Sequence, residues 1–254
     1  MLVRDAASGE VLLERSPEVR LSTASVPKLL LLIACAAAIE AGELDPGELL
    51  DRGSVPSVGD SGLWQHLGQQ ALSVADAAAL VGAVSDNLAT NVLLARIGLE
   101  AVSREAARLG IRDVHLHDAV RDARGPTHPP RLSSASAAGL VDMLTRLSAG
   151  ELGSAAVSER VLGWMRHSVD LSMVASAFGQ DPLAHGGDAP QLFVKTGTDA
   201  GVRADAGVVR AADRTLVYAA IANWPADVDA TGEVLASMRG IGELVRAAVE
   251  GDRG

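Results

Sequence analysis

Ser25-Val26-Pro27-Lys28, running into an apolar stretch from Leu29 to Ile39, is where the reading of this chain begins. The chain carries 22 Lys plus Arg, and only Lys28 and Lys195 are lysine. For every other cation the sequence uses Arg, whose guanidinium stays charged. An ammonium can shed its proton when desolvated and act as a base, or serve as a compact point charge. Ser25 lies three residues ahead of Lys28, and on a helix such positions share a face. A hydroxyl beside a desolvated amine is the arrangement of an activated serine nucleophile. Alone, these four residues are a short pattern, and a serine cap followed by a chance lysine accounts for them more simply. The rest of the chain decides between the two.

A length of 254 residues suits one large domain or two interlocked ones. Hydrophobic residues make up 48 % and aromatics only 2 %, so a large core must be packed from aliphatic side chains. The net charge of −10 argues against non-specific nucleic-acid binding, and no block of like charges suggests a binding tail. A lone cysteine, Cys35, excludes an intramolecular disulfide and a cysteine-based zinc site. The histidines, at 66, 115, 117, 128, 167 and 185, show no helical metal-binding spacing. No metal and no cofactor is expected. Residues 1–20 are rich in charge and lack the apolar region of a secretory signal. The run at 29–39 is too short to span a membrane, which takes about 20 apolar residues, and reads as a buried central helix. The expectation is a monomer acting on a small molecule, without nucleic-acid or membrane partners. As it stands the sequence reads as cytoplasmic, or as secreted or periplasmic if the true start lies upstream.

Along the chain, residues 1–5 and 10–15 read as two strands around a turn. The helix after Pro27 runs to about Ala41 and stops at Gly42. Residues 45–58 are rich in Gly and Pro and read as loop, followed by a helical turn at 63–67. Ser73 caps a helix to about Val84. Further helices follow at 88–97 and 99–109, and the triplet Ser85-Asp86-Asn87 breaks the series. Residues 111–131 have no clean period, and a structureless stretch of that length inside a domain is usually functional. Helices are expected from 133 or 134 to 148 and from 155 to 165, then a broken polar stretch to 191. From Leu192 the period changes to that of strands, at 192–195, 206–210 and 216–222, before an amphipathic helix over 231–249. Neither terminal set of strands is stable alone, so the two ends must share a sheet. The expected fold is α/β: a discontinuous antiparallel-sheet domain from residues 1–22 and 190–254, an inserted all-α domain from 23–189, and a cleft between them.

Two further triplets stand in order behind Ser25 and Lys28: Ser85-Asp86-Asn87, and Lys195-Thr196-Gly197 followed by Thr198. Each alone is a common cap or turn. Together, S-x-x-K, S-D-N and K-T-G form the set found in class A β-lactamases and penicillin-binding proteins. The chain resembles a class A serine β-lactamase. Leu72-Ser-Val-Ala-Asp76, the run Val84 to Asn91, and Gly201-Val-Arg203 after the K-T-G extend the likeness over nearly the whole chain.

The resemblance implies roles. Ser25 would be the nucleophile and Lys28 its base, kept partly neutral by a nearby cation such as Lys195. Ser85 would relay a proton to the leaving nitrogen, and Asn87 would bind the substrate's side-chain amide. The N–H groups of Ser25 and Thr198 would form an oxyanion hole. Thr196, Gly197, Thr198 and Arg203 would line the carboxylate site, with a solvated strand charge as the plain alternative for Arg203. Trp64 falls where the family often has an aromatic cleft wall, the alternative being a core tryptophan. The implied activity is opening of a β-lactam amide through an acyl-Ser25 intermediate.

The likeness fails at one place. Class A enzymes hold their deacylating water with a loop glutamate, and residues 115–126 contain no Glu. Asp118 or Asp122 could substitute. The plainer reading pairs them with Arg112, Arg121 or Arg124. Slow deacylation is therefore expected. The alternative is a D-Ala-D-Ala peptidase-like or biosynthetic acyl hydrolase or esterase that β-lactams acylate without being turned over.

Overall fold

A computed structural model describes residues 1–183 and 190–251. The chain opens with a hairpin, β1 (Leu2–Asp5) and β2 (Val11–Glu14). Its turn is fixed by Asp5 Oδ1, which accepts the backbone N–H groups of Ala7 and Ser8. A short strand, β3 (Leu21–Ser22), leads to the central helix α1 (Lys28–Glu40). Strands β4 (Leu49–Asp51) and β5 (Ala71–Ser73) pair across the base of an irregular loop. Helices α2 (Val74–Val84), α3 (Asn87–Ile97) and α4 (Leu99–Arg108) follow. Then come β6 (Val114–Leu116), β7 (Ser133–Ala135), α5 (Ala137–Ser148) and α6 (Ala155–Arg166). Three long strands, β8 (Gln191–Asp199), β9 (Val202–Arg210) and β10 (Thr215–Asn223), precede the closing helix α7 (Thr231–Glu250).

The two ends of the chain build one antiparallel sheet in the order β2-β1-β10-β9-β8, with Leu2 opposite Ala219. Alternation along the strands gives the sheet two apolar faces. Phe193, Ala204, Val208 and Val217 join the core of helices α1 to α6. Leu192, Val194, Val209 and Tyr218 pack instead against Met238 and Val245 of α7. Strand β8 is the free edge of the sheet, beside the helical half.

Every residue of α1 from Lys28 to Ala36 is buried. A helix apolar all round belongs at the centre of a core. Each buried Leu there contributes about 1.5–3 kcal/mol relative to exposure. Cys35 is part of this packing, and burial pushes its thiol up to about 12. Among the described residues no helix is long and apolar enough to cross a membrane, and no cluster of His, Cys, Asp or Glu could hold a metal. His185 lies outside the described residues.

Three expectations are corrected. The helix expected from 133 or 134 starts at Ala137, because Ser133–Ala135 pair with both β3 and β6. Ser136, not Ser133 or Ser134, caps that helix, accepting from Gly139 N. The loops expected at 45–58 and 111–131 each contain a three-residue strand, too short to leave a period in the sequence.

Candidate active site

Ser25 stands on a tight turn rather than on α1 itself. Val26 N donates to Thr23 O at 3.1 Å and Lys28 N to Ser25 O at 3.2 Å, so the turn runs directly into the helix. Ala24 takes a positive φ of 46° to make it, a conformation that strains a residue with a Cβ. Ser133 pins the turn from outside, donating Oγ to Ala24 O at 2.6 Å. Ser25 thereby lies at the positive end of the α1 dipole. Its Oγ makes no hydrogen bond among the described residues, and it lines a cleft of about 320 Å³ with Asp60, Ser85, Asp170, Lys195 and Thr198.

The S-D-N break places the second group. Ser85 ends α2 in the left-handed conformation, φ 54°, turning its side chain into the cleft. Asp86 holds the break rigid: its carboxylate accepts the N–H groups of Leu63, Trp64 and Ala89 at 2.7–2.9 Å. Gly62 completes the contact, since a Cβ there would fall 2.5 Å from the Asp86 carboxyl carbon.

Both lysines converge on Ser85. Lys28, fully buried, donates Nζ to Ser85 O and to Asn87 Oδ1, each at 2.7 Å, and lies 3.4 Å from Ser85 Oγ. Lys195, also buried, donates Nζ to Ser85 Oγ and to Thr196 O, each at 2.9 Å. Burial pushes Lys28 well below the ordinary lysine range and the Lys195 charge pushes it further, against the opposing pull of Asp86 and Asp60. Burial lowers Lys195 to about 8, with Asp170 and Asp205 holding it up. Burial thus favours the neutral form of both lysines, and at Lys28 a neighbouring cation adds to the effect. Lys28 Nζ faces three acceptors, Ser85 O and Asn87 Oδ1 at 2.7 Å and Ser85 Oγ at 3.4 Å, and makes no hydrogen bond to Ser25 among the described residues. Asn87 is committed within the protein, because its Nδ2 also donates to Gly59 O at 3.0 Å. It bridges Lys28 and Gly59 and is not among the residues lining the cleft.

The sheet edge closes the site. Gly197 presses on the Ser25 turn so closely that a Cβ would lie 2.2 Å from Thr23 O and 2.9 Å from Ser25 N. Thr196 and Thr198 line the cleft. Arg203 faces Thr198 across the strand register, but its guanidinium donates to Asp199 O and Val202 O and lies over the Trp224 ring at 5.8 Å. That guanidinium is turned to backbone carbonyls and an indole, not to the cleft.

Trp64 is not a cleft wall. It is fully buried in the helical core, with Nε1 donating to Gln69 O at 2.9 Å. Asp118 is clamped by Arg121 and Arg124, each at 2.7 Å. Burial raises its carboxyl, but the two guanidiniums outweigh that and leave it below the usual carboxylate range. Asp122 instead accepts Gly59 N at 2.9 Å. Both aspartates line a separate hollow of about 530 Å³ with Val55, Asn91 and Val120, in which Ser25 takes no part. Asn91 fixes this loop by exchanging two hydrogen bonds with the Val120 backbone.

Three acidic groups at the site have no motif to announce them. Asp60 sits at positive φ, 65°, in the Gly-rich loop, and Asp170 in the polar stretch after α6; both line the cleft. Asp205 lies behind Lys195, opposite Thr196 in register, and accepts from Val174 N and Tyr218 Oη. Burial raises its carboxyl to about 7.

No curated protein matches the sequence. Solved structures do. A β-lactamase from Sphaerobacter thermophilus superposes with a TM-score of 0.84 at 24 % identity, covering 98 % of this chain and 89 % of that one. PBP-A superposes at 0.81 and 22 %, covering 98 % and 88 %. A point mutant of PBP-A, with a leucine replaced by glutamate, has been solved as an acyl-enzyme complex with penicillin G, and superposes at 0.80 and 22 %, covering 98 % and 89 %. These likenesses show the β-lactamase-like fold. The model of the beta-lactamase enzyme family matches residues 1–248. With nearly its whole length matched, this chain belongs to the beta-lactamase enzyme family.

Proposed function

We propose that this member of the family is a serine hydrolase that opens the β-lactam amide through an acyl-Ser25 intermediate and hydrolyses that intermediate slowly. The observation that supports the reading is the convergence of two buried lysines on Ser85, which lines the same cleft as a Ser25 whose hydroxyl makes no hydrogen bond among the described residues.

The neutral Lys28 amine takes the Ser25 proton as Oγ attacks the carbonyl carbon. The carbonyl oxygen becomes an oxyanion, met by the N–H groups of Ser25 and Thr198. Collapse re-forms the carbonyl and breaks the C–N bond. The leaving nitrogen takes a proton from Ser85 Oγ, which is replaced from the Lys28 ammonium, leaving that lysine neutral again. Lys195 stays charged throughout, donating to the Ser85 oxygen and keeping Lys28 deprotonated. Lys195, Thr196 and Thr198 receive the substrate carboxylate.

Deacylation needs a base that holds a water, and no Glu lies in residues 115–126. Asp118 is occupied by two arginines. This favours a second reading, a peptidase-like or biosynthetic acyl hydrolase or esterase that β-lactams acylate but that does not turn them over. PBP-A is a structural neighbour, and its mutant was captured as the penicillin G acyl-enzyme.

Burst and steady-state kinetics on one penicillin and one cephalosporin, with intact mass, test both. A stoichiometric burst followed by slow turnover, absent in Ser25→Ala, is expected. A stable adduct with no turnover favours the second reading. Turnover that persists in Ser25→Ala removes the nucleophile.

A further inference from the structure

The charges facing the cleft are the wrong way round for a purely anionic ligand. Lys195 is its one lining cation among the described residues, and it already donates to Ser85 Oγ and Thr196 O. Against it stand two lining carboxylates. Asp60 lies on the loop ahead of Trp64, and Asp170 follows α6, so they come from separate segments of the chain. Neither forms an ion pair with an Arg or Lys among the described residues. Asp170 Oδ1 accepts from Ser172 N and Oγ, while its Oδ2 accepts nothing among the described residues. The Asp60 carboxylate accepts no hydrogen bond among the described residues either; the bond at this residue is Gln65 Nε2 donating to its backbone oxygen. Arg203, opposite Thr198 in register, is turned to carbonyls and Trp224.

By formal charge, one lysine and two aspartates give the lining a net of one negative charge, and a substrate's ring carboxylate adds another. We propose that the cleft selects acyl donors that carry a protonated amine in the acyl side chain, with Asp60 and Asp170 as the residues that set this preference. The preference rests on the acyl-Ser25 reading above. The class includes zwitterionic penicillins and α-amino acyl esters or amides, and it disfavours acyl groups that bring a second carboxylate.

Penicillin G, ampicillin and carbenicillin test this directly, because their side chains differ chiefly in bearing hydrogen, an amine or a carboxylate. Second-order acylation rates are read by intact mass at pH about 6, where an α-amino group is protonated. Ampicillin is expected to exceed carbenicillin by about tenfold or more, the size of one charge–charge interaction in a partly screened cleft, with penicillin G between them. High salt should narrow the spread. Asp60→Asn and Asp170→Asn should each reduce it, and the double variant should abolish it. Carbenicillin reacting as fast as ampicillin, or a spread unmoved by salt or by the double variant, overturns the preference while leaving acyl-Ser25 intact. The wild-type salt series decides the matter even if a variant fails to fold. No adduct with any of the three overturns the acyl-serine reading, and the preference with it.

Discussion

Lys28 Nζ stands 2.7 Å from Asn87 Oδ1, and the same amide is held from behind by Gly59 O. The acceptor is neutral, so it orients the amine without holding the proton on it. Asn87→Asp puts a carboxylate there and favours the ammonium. The acid limb of the acylation profile should move to higher pH, about one pH unit for each tenfold stabilisation of the charged form. Asn87→Ala lacks the charge and should slow acylation without that upward shift. Stopped-flow acylation across pH distinguishes the two variants.

In the proposed mechanism Lys28 is neutral and Lys195 charged, so the rate should fall on the alkaline side as Lys195, lowered to about 8, loses its proton. Asp205 supports that charge from behind. In Asp205→Asn the ammonium loses this support, and the alkaline limb should move to lower pH. An unmoved limb would remove Lys195 as its origin.

Asp205 also carries a stability signature. Burial raises its carboxyl from 3.8 to about 7, so between those values the folded state binds more protons than the unfolded one. Stability contributed by this group is present below about pH 4 and is lost as pH rises through about 7. Denaturant unfolding of wild type and Asp205→Asn should show this downward slope in the first and its loss in the second.

Gly197→Ala forces the edge strand away from Thr23 and Ser25, since the new methyl would meet Thr23 O at 2.2 Å. A displacement of about 1 Å at a reacting group costs on the order of a hundredfold in rate. Acylation should drop by about that factor, with a smaller loss of stability because the sheet's interior pairs are untouched.

Trp64→Phe and Asp118→Asn separate structure from chemistry. The first removes the indole bond to Gln69 O, the second the negative charge held between two guanidiniums. Each should destabilise by about 1–3 kcal/mol while acylation and deacylation rates stay within about twofold. A collapse of deacylation in Asp118→Asn would restore that carboxylate as the base.

The sequence made the sheet legible because strand period and helix period differ sharply, and because two hairpin sets at opposite ends have no other way to be paired. The lysine census marked Lys28 and Lys195, since a chain that otherwise uses Arg leaves its two ammoniums conspicuous. Side-chain direction was not legible. Trp64 and Arg203 occupy the expected positions in the chain, yet one is packed inward and the other is captured by carbonyls. Asp60, Asp170 and Asp205 were invisible because their neighbours come from distant segments, and an isolated aspartate in a polar stretch resembles any surface charge. Strands such as Ser133–Ala135 left no period because three residues are too few for alternation to show.

Pairing Leu2 with Ala219 has a consequence for biogenesis. On the ribosome the first strand waits for a partner made more than 200 residues later, and synthesis proceeds at about 5–20 residues per second. Nascent chains halted between the sixth helix and the tenth strand therefore have a translated helical half and an amino-terminal hairpin without its partner in the sheet. Ser25 is translated early and Lys195 late, so on the proposed mechanism chemical competence arrives only with the carboxy-terminal strands.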